Sequence, residues 1–338
     1  MAMPNCPFGP SHCSNVAFGS MNVVHIYKPI PDKTHALKLL NEALDAGYTM
    51  FDTAAMYGWG LSEEFLAEAI MHRRQEFSLA TKGVLNFTTD GKNIYKVMDG
   101  NPDTLKQQCA DSLKRLKTDF IDVYYLHRYD QRYAIEEQVG ALGRLVEEGM
   151  IGGIGLSEVS ANTLRKAHKE HPIAAMQSEY SLWTRNPEIS VLQTCKELGA
   201  AFVAFSPTAR KFLTGQLPDM SQVPEGDLRY SMPRFNDDNY PKNMQLLQPF
   251  LALAKEADVL PVELAIAWVL AQGDHVIALP GTTSFEHMRQ NANAGSLQIA
   301  PEIIQRAGTL ISQDNVYGLR YNEAAQLHVD TERFEDLC

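Results

Sequence analysis

The sequence contains few cysteines and no long apolar run. No two of its five cysteines have the C-x-x-C spacing typical of zinc or redox sites, and an odd number at wide spacing does not indicate a disulfide framework. We therefore expect reduced thiols in a cytoplasmic protein. The cysteines are Cys6, Cys13, Cys109, Cys195 and Cys338.

The chain also lacks an excess of positive charge. Its formal net charge of −11 over 338 residues argues against a nucleic-acid partner, which needs a basic surface. No stretch approaches roughly 18 uninterrupted apolar residues, so no membrane helix is expected. Residues 1–10 have neither the charged nor the apolar region of a signal peptide.

What the sequence does contain is a regular alternation of apolar runs with amphipathic segments. In residues 33–47, for example, apolar side chains recur at helical spacing, Asp32 is a candidate N-cap and Gly47 a candidate stop. The other predicted helices cover residues 62–73, 101–116, 134–149, 160–170, 187–199, 243–257, 261–271 and 284–294. The predicted strands cover residues 15–21, 48–51, 77–80, 121–126, 151–156, 174–176, 201–205 and 276–279.

Eight continuous apolar strands separated by helices predict an α/β fold, a single (β/α)8 TIM barrel, because such strands are buried on both faces. A dinucleotide-binding open sheet would need G-x-G-x-x-G after the first strand, and the glycines at 152, 153 and 155 lie inside a strand pattern. We expect one domain over residues 1–338 with a barrel core of about 16–325. Residues 214–243 form a long loop after strand seven, and residues 313–338 a C-terminal flap.

Four reactive side chains come directly after predicted strands. Asp52 ends the second strand and Tyr57 follows in its loop, Lys82 ends the third, and His127 ends the fourth. Active sites of (β/α)8 barrels lie at the carboxyl ends of the strands. The barrel therefore predicts that these four side chains share one rim.

Seven short motifs, in order over residues 16 to 325, resemble those of the aldo-keto reductases. They are Phe51-Asp52-Thr53-Ala54 with Tyr57-Gly58, Ala80-Thr81-Lys82, Leu126-His127-Arg128, Gly155-Leu156-Ser157, Gln177-Ser178-Glu179-Tyr180-Ser181, Phe205-Ser206-Pro207 with Phe212-Leu213-Thr214-Gly215, and Pro280-Gly281-Thr282-Thr283 with Asn291.

The resemblance implies catalysis by Tyr57, Lys82, Asp52 and His127. Tyr57 would protonate the carbonyl oxygen, with Lys82 lowering the phenol pKa and Asp52 orienting Lys82. His127 would hydrogen-bond the carbonyl. Arg128 is interpreted as a partner for a nearby acid.

The resemblance also implies a nicotinamide cofactor, NADP(H) being expected and NAD(H) the alternative. Ser157 and Gln177 would bind the carboxamide, and Phe205 would stack on the nicotinamide ring. The helix that begins near Ser284 would offer an anion site for a 2′-phosphate. The full implied cofactor site comprises Gly19, Ser20, Met21, Asp52, Ser157, Gln177, Phe205, Ser206, Pro207, Thr208, Arg210, Gly281, Thr283, His287, Arg289, Gln290 and Asn291.

Three positions depart from the family pattern. Glu158 stands where relatives usually have Asn, and its carboxylate would either repel the cofactor phosphates or recruit a different hydrogen bond. Gly281 and Thr283 stand where some relatives carry a cation for the 2′-phosphate, and His287 and Arg289 would compensate in part.

The substrate pocket is expected to be apolar and aromatic, which suits a bulky or cyclic substrate. Besides Tyr57 and His127, it would contain Phe87, Tyr129 and Trp183, with Tyr230 nearby and with the loops at 21–27, 85–93 and 214–243 around it.

The expected activity is interconversion of an aldehyde or ketone with an alcohol, by a monomer or homo-oligomer. The alternative is a cofactor-binding barrel that acts as an accessory subunit, like the channel subunits of this family. A metal-dependent hydrolase is rejected, because only His127 and Asp52 qualify as ligands and no metal is expected.

Overall fold

The computed structural model describes residues 3–24, 27, 30–217 and 219–337. Its eight-stranded parallel sheet runs in the order β3-β4-β5-β8-β9-β10-β11-β12, and bridges from Val16 to Ala278 and from Gly19 to Gly281 join the two ends. The predicted (β/α)8 barrel is confirmed. The described strands are β1 (Asn5–Phe8), β2 (Ser11–Ser14), β3 (Phe18–Gly19), β4 (Met50–Asp52), β5 (Ser78–Gly83), β6 (Leu85–Thr89), β7 (Ile94–Met98), β8 (Val123–Leu126), β9 (Ile154–Ser157), β10 (Ile173–Glu179), β11 (Ala201–Phe205) and β12 (Val276–Leu279).

The helices surround the barrel and largely match the predicted segments. Asp32 caps the first helix by accepting a hydrogen bond from the His35 N–H at 2.9 Å, and Gly47 follows its end with φ of +95°, as expected. The described helices are α1 (Lys33–Asp45), α2 (Leu61–Ala69), α3 (Pro102–Leu116), α4 (Ile135–Glu147), α5 (Ala161–Glu170), α6 (Val191–Leu198), α7 (Tyr240–Glu256), α8 (Pro261–Leu270), α9 (Phe285–Ala294), α10 (Pro301–Leu310) and α11 (Glu323–Gln326).

Three predicted segments are shorter than expected. The first strand stops at Gly19, because Ser20–Val23 form a 3-10 turn. The helix predicted over 62–73 ends at Ala69, and a kinked 3-10 segment follows at Met71–Glu76. The segment predicted over 187–199 divides in the same way into a 3-10 turn at Asn186–Glu188 and α6. In the second of these helical segments the apolar residues continue through Ile189, Val191 and Leu192, so their spacing does not report the break.

An N-terminal hairpin that the sequence did not predict closes one end of the barrel. Strands β1 and β2 pair antiparallel, and their buried Phe8 and Cys13 join the cluster of side chains inside the barrel. The Cys13 thiol contacts the Met50 sulfur at 3.8 Å. This hairpin covers the apolar interior at the amino ends of the strands, leaving the carboxyl ends open.

The glycines at 152, 153 and 155 serve packing in this barrel. A Cβ on Gly155 would lie 2.3 Å from the Tyr125 ring, whose side chain fills the interior. The close approach of a neighbouring strand's aromatic ring therefore requires glycine here, as expected for glycines within a strand.

Two regions expected as loops contain defined structure. The segment after β5 forms the hairpin β6–β7. The long insertion contains 3-10 turns at Met220–Gln222, Leu228–Ser231 and Pro233–Phe235, and α7 begins at Tyr240 rather than at 243. The Arg229–Asp227 ion pair (2.8 Å) is buried within it. The insertion is therefore a long loop, as predicted, that contains short 3-10 turns and a buried ion pair.

The C-terminal tail, defined here as residues 313–337, returns to the barrel. The Asp330 N–H donates to the Glu158 carbonyl at 2.9 Å, and the Asp330 carboxylate accepts hydrogen bonds from Ser160. The Glu332 carboxylate accepts from the Ala161 N–H at 2.7 Å. The tail is thereby anchored at the start of α5.

The described cysteines are unpaired, as expected. Cys6, Cys13, Cys109 and Cys195 are free and buried, whereas Cys338 lies outside the described residues. Within the described ranges, no helix is both long and apolar enough to cross a membrane.

Candidate active site

The carboxyl ends of the barrel strands open into a cavity of about 810 Å³. Its wall combines strand ends with the 206–216 loop, the start of α9 and part of the C-terminal tail. A volume of this size and mixed polarity is typical of a ligand site.

Two of the other predicted rim residues contact Lys82, which is fully buried near the end of β5. The Lys82 ammonium forms an ion pair with the Asp52 carboxylate and donates to the Thr53 carbonyl at 2.9 Å. It also lies 3.4 Å from the Tyr57 hydroxyl, to which it donates. The barrel thus places a cation directly behind a phenol that faces the cavity.

His127 lies beside Tyr57 and completes the group. Its ring centroid lies 5.7 Å from that of Tyr57, with the rings nearly perpendicular at 85°. His127 Nδ1 is buried and has no hydrogen-bond partner among the described residues. The His127 ring therefore has an unused polar atom beside the tyrosine.

Burial and charge act in opposite directions on the pKa values of these groups. Burial raises the pKa of Tyr57 above its ordinary 10, and the neighbouring Lys82 only partly offsets this. Burial opposes the charge on Lys82, but Asp52 and Tyr57 outweigh it, so its pKa is raised. Burial, followed by Arg128, Lys82 and Lys96, lowers the pKa of His127 well below 6.5. Lysine is thus charged, tyrosine protonated and histidine neutral near pH 7.

The predicted carboxamide ligands also lie on the cavity wall, with protein partners. The Gln177 amide donates to the second Asp52 oxygen at 2.8 Å. The Ser157 hydroxyl accepts from the Arg128 guanidinium at 3.3 Å. The remaining Asp52 oxygen is therefore satisfied by an amide, which fixes the carboxylate that holds Lys82.

The loop after β11 follows the predicted cofactor path in an unusual backbone conformation. Ser206, Ala209, Arg210 and Lys211 all have φ between +51° and +79°. Such left-handed residues other than glycine cost on the order of 1–3 kcal/mol each and cluster at ligand sites. The buried Arg210 pairs with Glu179 at 2.7 Å, and its Nε has no partner within the described part of the chain.

The start of α9 forms the opposite end of this path. The Ser284 hydroxyl caps the helix by accepting from the His287 N–H at 3.3 Å. Most of the predicted cofactor residues line the cavity: Gly19, Met21, Asp52, Ser157, Gln177, Phe205, Ser206, Pro207, Thr208, Arg210, Gly281, Thr283, His287, Gln290 and Asn291.

Two residues predicted for the cofactor site lie off the wall. The Ser20 hydroxyl is buried behind the strands, where it donates to the Asp52 carbonyl at 2.7 Å. The Arg289 side chain is 63% exposed and pairs with Glu42 at 2.7 Å on the outer surface. Arg289 lies on the face of α9 that points away from the cavity. The sequence spacing alone did not show which face of this helix would line the cavity.

The predicted aromatic lining is largely absent from the wall. Trp183 is buried against Phe212, with ring centroids 4.1 Å apart, and Phe87 packs edge-on against Trp59. Tyr129 does not line the cavity, and the Tyr230 hydroxyl donates to insertion carbonyls. Aromatic residues near strand ends pack here against neighbouring loops. Of the predicted loop 21–27, His25 and Ile26 lie outside the described residues.

Glu158 adopts the second of its two predicted alternatives. Its carboxylate pairs with Arg320 of the C-terminal tail and accepts the Glu179 N–H at 2.8 Å and the Ser178 hydroxyl at 3.2 Å. The Glu158 backbone has a left-handed φ of +57°, so the chain leaves the extended conformation of β9 at this residue. The carboxylate thus holds the tail rather than facing the cavity.

Arg128 differs from its predicted role as the partner of an acid. Its guanidinium donates to the His127 carbonyl at 2.6 Å and to Ser157, both uncharged groups.

Several cavity residues were absent from the prediction. Lys96 comes from the second hairpin and Tyr321, Ala325, His328 and Val329 from the tail. Their sequence neighbourhoods contain no motif, so only the tertiary path of these segments reveals them.

Comparison with known proteins agrees with this geometry. Residues 15–310 match the model of the aldo/keto reductase family. An aldo-keto reductase of Strobilurus tenacellus is 35% identical over 98% of each chain, and one of Schizosaccharomyces pombe, whose name specifies NADP(+), is 34% identical over 98% of each chain. The glycerol dehydrogenase structure from Gluconobacter oxydans superposes with a TM-score of 0.84 at 26% identity, covering 98% of each chain.

The chain therefore belongs to the aldo/keto reductase family, whose members are oxidoreductases. The resemblance inferred from the seven motifs is confirmed.

Proposed function

We propose that this protein uses NADP(H) to interconvert a carbonyl compound and an alcohol, with Tyr57 as the general acid and base. The observation that carries this proposal is the 3.4 Å contact between the Tyr57 hydroxyl and the buried Lys82, at the wall of the cavity and beside His127.

The side chains divide the proton chemistry among them. When bound, a reduced nicotinamide supplies the hydride that forms the new C–H bond at the carbonyl carbon. The carbonyl π electrons move to oxygen, and Tyr57 gives its proton to that oxygen. Lys82 stabilises the resulting phenolate, and Asp52 keeps Lys82 charged and oriented. In oxidation the same groups act in reverse.

His127 acts as a neutral hydrogen-bonding group in this proposal. Its lowered pKa keeps the imidazole uncharged, so one ring N–H can orient the carbonyl oxygen without competing with Tyr57 as an acid.

The residues on the wall fit a nicotinamide dinucleotide. Phe205 offers an aromatic face, and Ser157 and Gln177 offer polar groups for a carboxamide. Arg210 on the wall offers positive charge, and the amino end of α9 offers backbone donors for phosphates. The name of the Schizosaccharomyces pombe relative supports NADP over NAD.

The test follows the absorbance of NADPH or NADH with a panel of aldehydes and ketones, and the reverse reaction with alcohols. We expect carbonyl-dependent oxidation that is faster with NADPH. Tight NADPH binding without turnover of any compound would contradict the proposal and favour an accessory role.

A further inference from the structure

Three basic side chains lie at one side of the cavity, beyond the four rim residues. Lys96 comes from β7, Arg128 follows β8 and His328 comes from the C-terminal tail. Asp52 is the sole acidic residue among those described on the wall, and it is paired with Lys82. A chain of net charge −11 thus has a cavity of the opposite sign.

These three side chains have no acidic partner within the described part of the chain, unlike two arginines elsewhere on the wall. Arg210 pairs with Glu179 and Arg229 with Asp227, at 2.7 and 2.8 Å. Arg128 donates only to neutral oxygens, and within the described part of the chain no carboxylate lies within ion-pair distance of Lys96, Arg128 or His328. A bound anion would supply the missing counter-charge.

The three groups lie within electrostatic range of one another and of His127. After burial, Arg128 lowers the pKa of Lys96, and Lys96 and Arg128 lower the pKa of His328. Arg128 and Lys96 also act on His127. The positive charges of Lys96 and Arg128 lie near each other without a described carboxylate, and a bound anion would offset their repulsion.

The position of this cluster separates it from the proposed phosphate path. Arg128 follows β8, the fourth barrel strand, whereas the 206–216 loop and α9 follow the seventh and eighth. In an eight-stranded barrel, the fourth and eighth strands lie on opposite sides. The cluster therefore adjoins the carbonyl site rather than the cofactor phosphates.

We propose that the substrate is a carbonyl compound with a second, anionic group, which binds to Lys96, Arg128 and His328 while the carbonyl lies at Tyr57 and His127. This inference rests on the proposed function and specifies its substrate class. Arg128 provides a planar fork suited to carboxylate or phosphate, Lys96 adds a second positive charge, and His328 adds a hydrogen-bonding imidazole.

The test compares matched aldehydes with NADPH: 4-carboxybenzaldehyde against 4-formylbenzamide, and 4-formylphenyl phosphate against 4-methoxybenzaldehyde. In at least one pair we expect kcat/KM to favour the anion by roughly tenfold, with the preference decreasing as salt is added. Lys96→Gln should reduce that ratio roughly fivefold through KM. Lys92→Gln, which removes the same charge from the same hairpin but off the cavity wall, is the control.

A ratio near one in both pairs, or a ratio that Lys96→Gln and Lys92→Gln change equally, overturns the inference. Turnover of the neutral aldehydes supports the proposed function whatever the ratio is. Calorimetry of the NADPH-loaded protein with benzoate, phenyl phosphate and benzamide gives a separate readout. If benzoate or phenyl phosphate binds more tightly than benzamide but no aldehyde is turned over, anion binding is supported and the proposed function is contradicted. If the three compounds bind equally and no aldehyde is turned over, both proposals are contradicted.

Discussion

Two buried ion pairs of this barrel, Asp52–Lys82 and Glu158–Arg320, have similar burial and different consequences. The first joins side chains 30 positions apart on neighbouring strands, and the second joins Glu158, which follows β9, to Arg320 of the tail, 162 positions away. Lys82 also donates a hydrogen bond to the Tyr57 hydroxyl. The Glu158 carboxylate instead accepts further hydrogen bonds from Ser178, the Glu179 N–H and Thr331.

Burial alone does not separate the two ion pairs. Asp52–Lys82 differs in its contact with a titratable side chain, Tyr57, that faces the cavity. Glu158–Arg320 instead holds the C-terminal tail, which contributes Tyr321, His328 and Val329 to the wall.

The largest effect should come from Tyr57→Phe, which removes the proposed proton donor and leaves both ion pairs intact. We expect kcat to fall by about 100- to 10,000-fold, the usual contribution of a general acid. NADPH affinity, measured by fluorescence titration, should stay near the wild-type value. A variant with wild-type kcat would refute the assignment of Tyr57.

Lys82→Met should reduce both activity and stability. It leaves the Asp52 carboxylate buried without its counter-charge, which costs about 3–5 kcal/mol in the free energy of unfolding. Denaturant unfolding measures this loss. The double variant Asp52→Leu/Lys82→Met should recover much of the stability but none of the turnover, and recovered turnover would contradict the role of Lys82.

Arg320→Met should give a comparable loss of stability with a smaller loss of activity. Glu158 would lose its counter-charge and the tail would lose one contact to the barrel, while Asp330 and Glu332 still hold it at α5. Hydrogen exchange should therefore become faster around residue 320. Adding Glu158→Gln should restore stability. If Arg320→Met lowered kcat as much as Lys82→Met, the distinction between the two pairs would fail.

The pH profile tests the protonation states of the rim. Reduction needs protonated Tyr57, so kcat/KM should decrease only as pH rises through a pKa above 10, and oxidation should increase there. Since the pKa of His127 lies well below 6.5, it should produce no inflection near that value. A decrease in kcat/KM for reduction centred near pH 7 would contradict this arrangement.

The smallest effect should come from Arg289→Ala. Its guanidinium forms an exposed pair with Glu42, and such pairs contribute little. The Kd of NADPH should change by about twofold or less. His287→Ala, on the cavity wall, is the comparison, and a larger loss from Arg289→Ala would place Arg289 at the cofactor.

The sequence by itself determined the barrel and the location of its reactive rim. Continuous apolar strands and amphipathic helices are local patterns, and the carboxyl ends of parallel strands must meet at one edge. Asp52, Lys82 and His127 are therefore predictable because each ends a strand, and Tyr57 because it follows one closely.

Only the tertiary structure decided which long-range segments cover that rim. The ion pair of Glu158 depends on the position of Arg320 in the tail. The cluster of Lys96, Arg128 and His328 depends on how the β6–β7 hairpin and the tail meet beside Arg128. The burial of Trp183 and the outward orientation of Arg289 likewise depend on neighbours that are distant in the sequence. Contacts of this kind leave no local periodicity, because their partners are set by packing rather than by spacing.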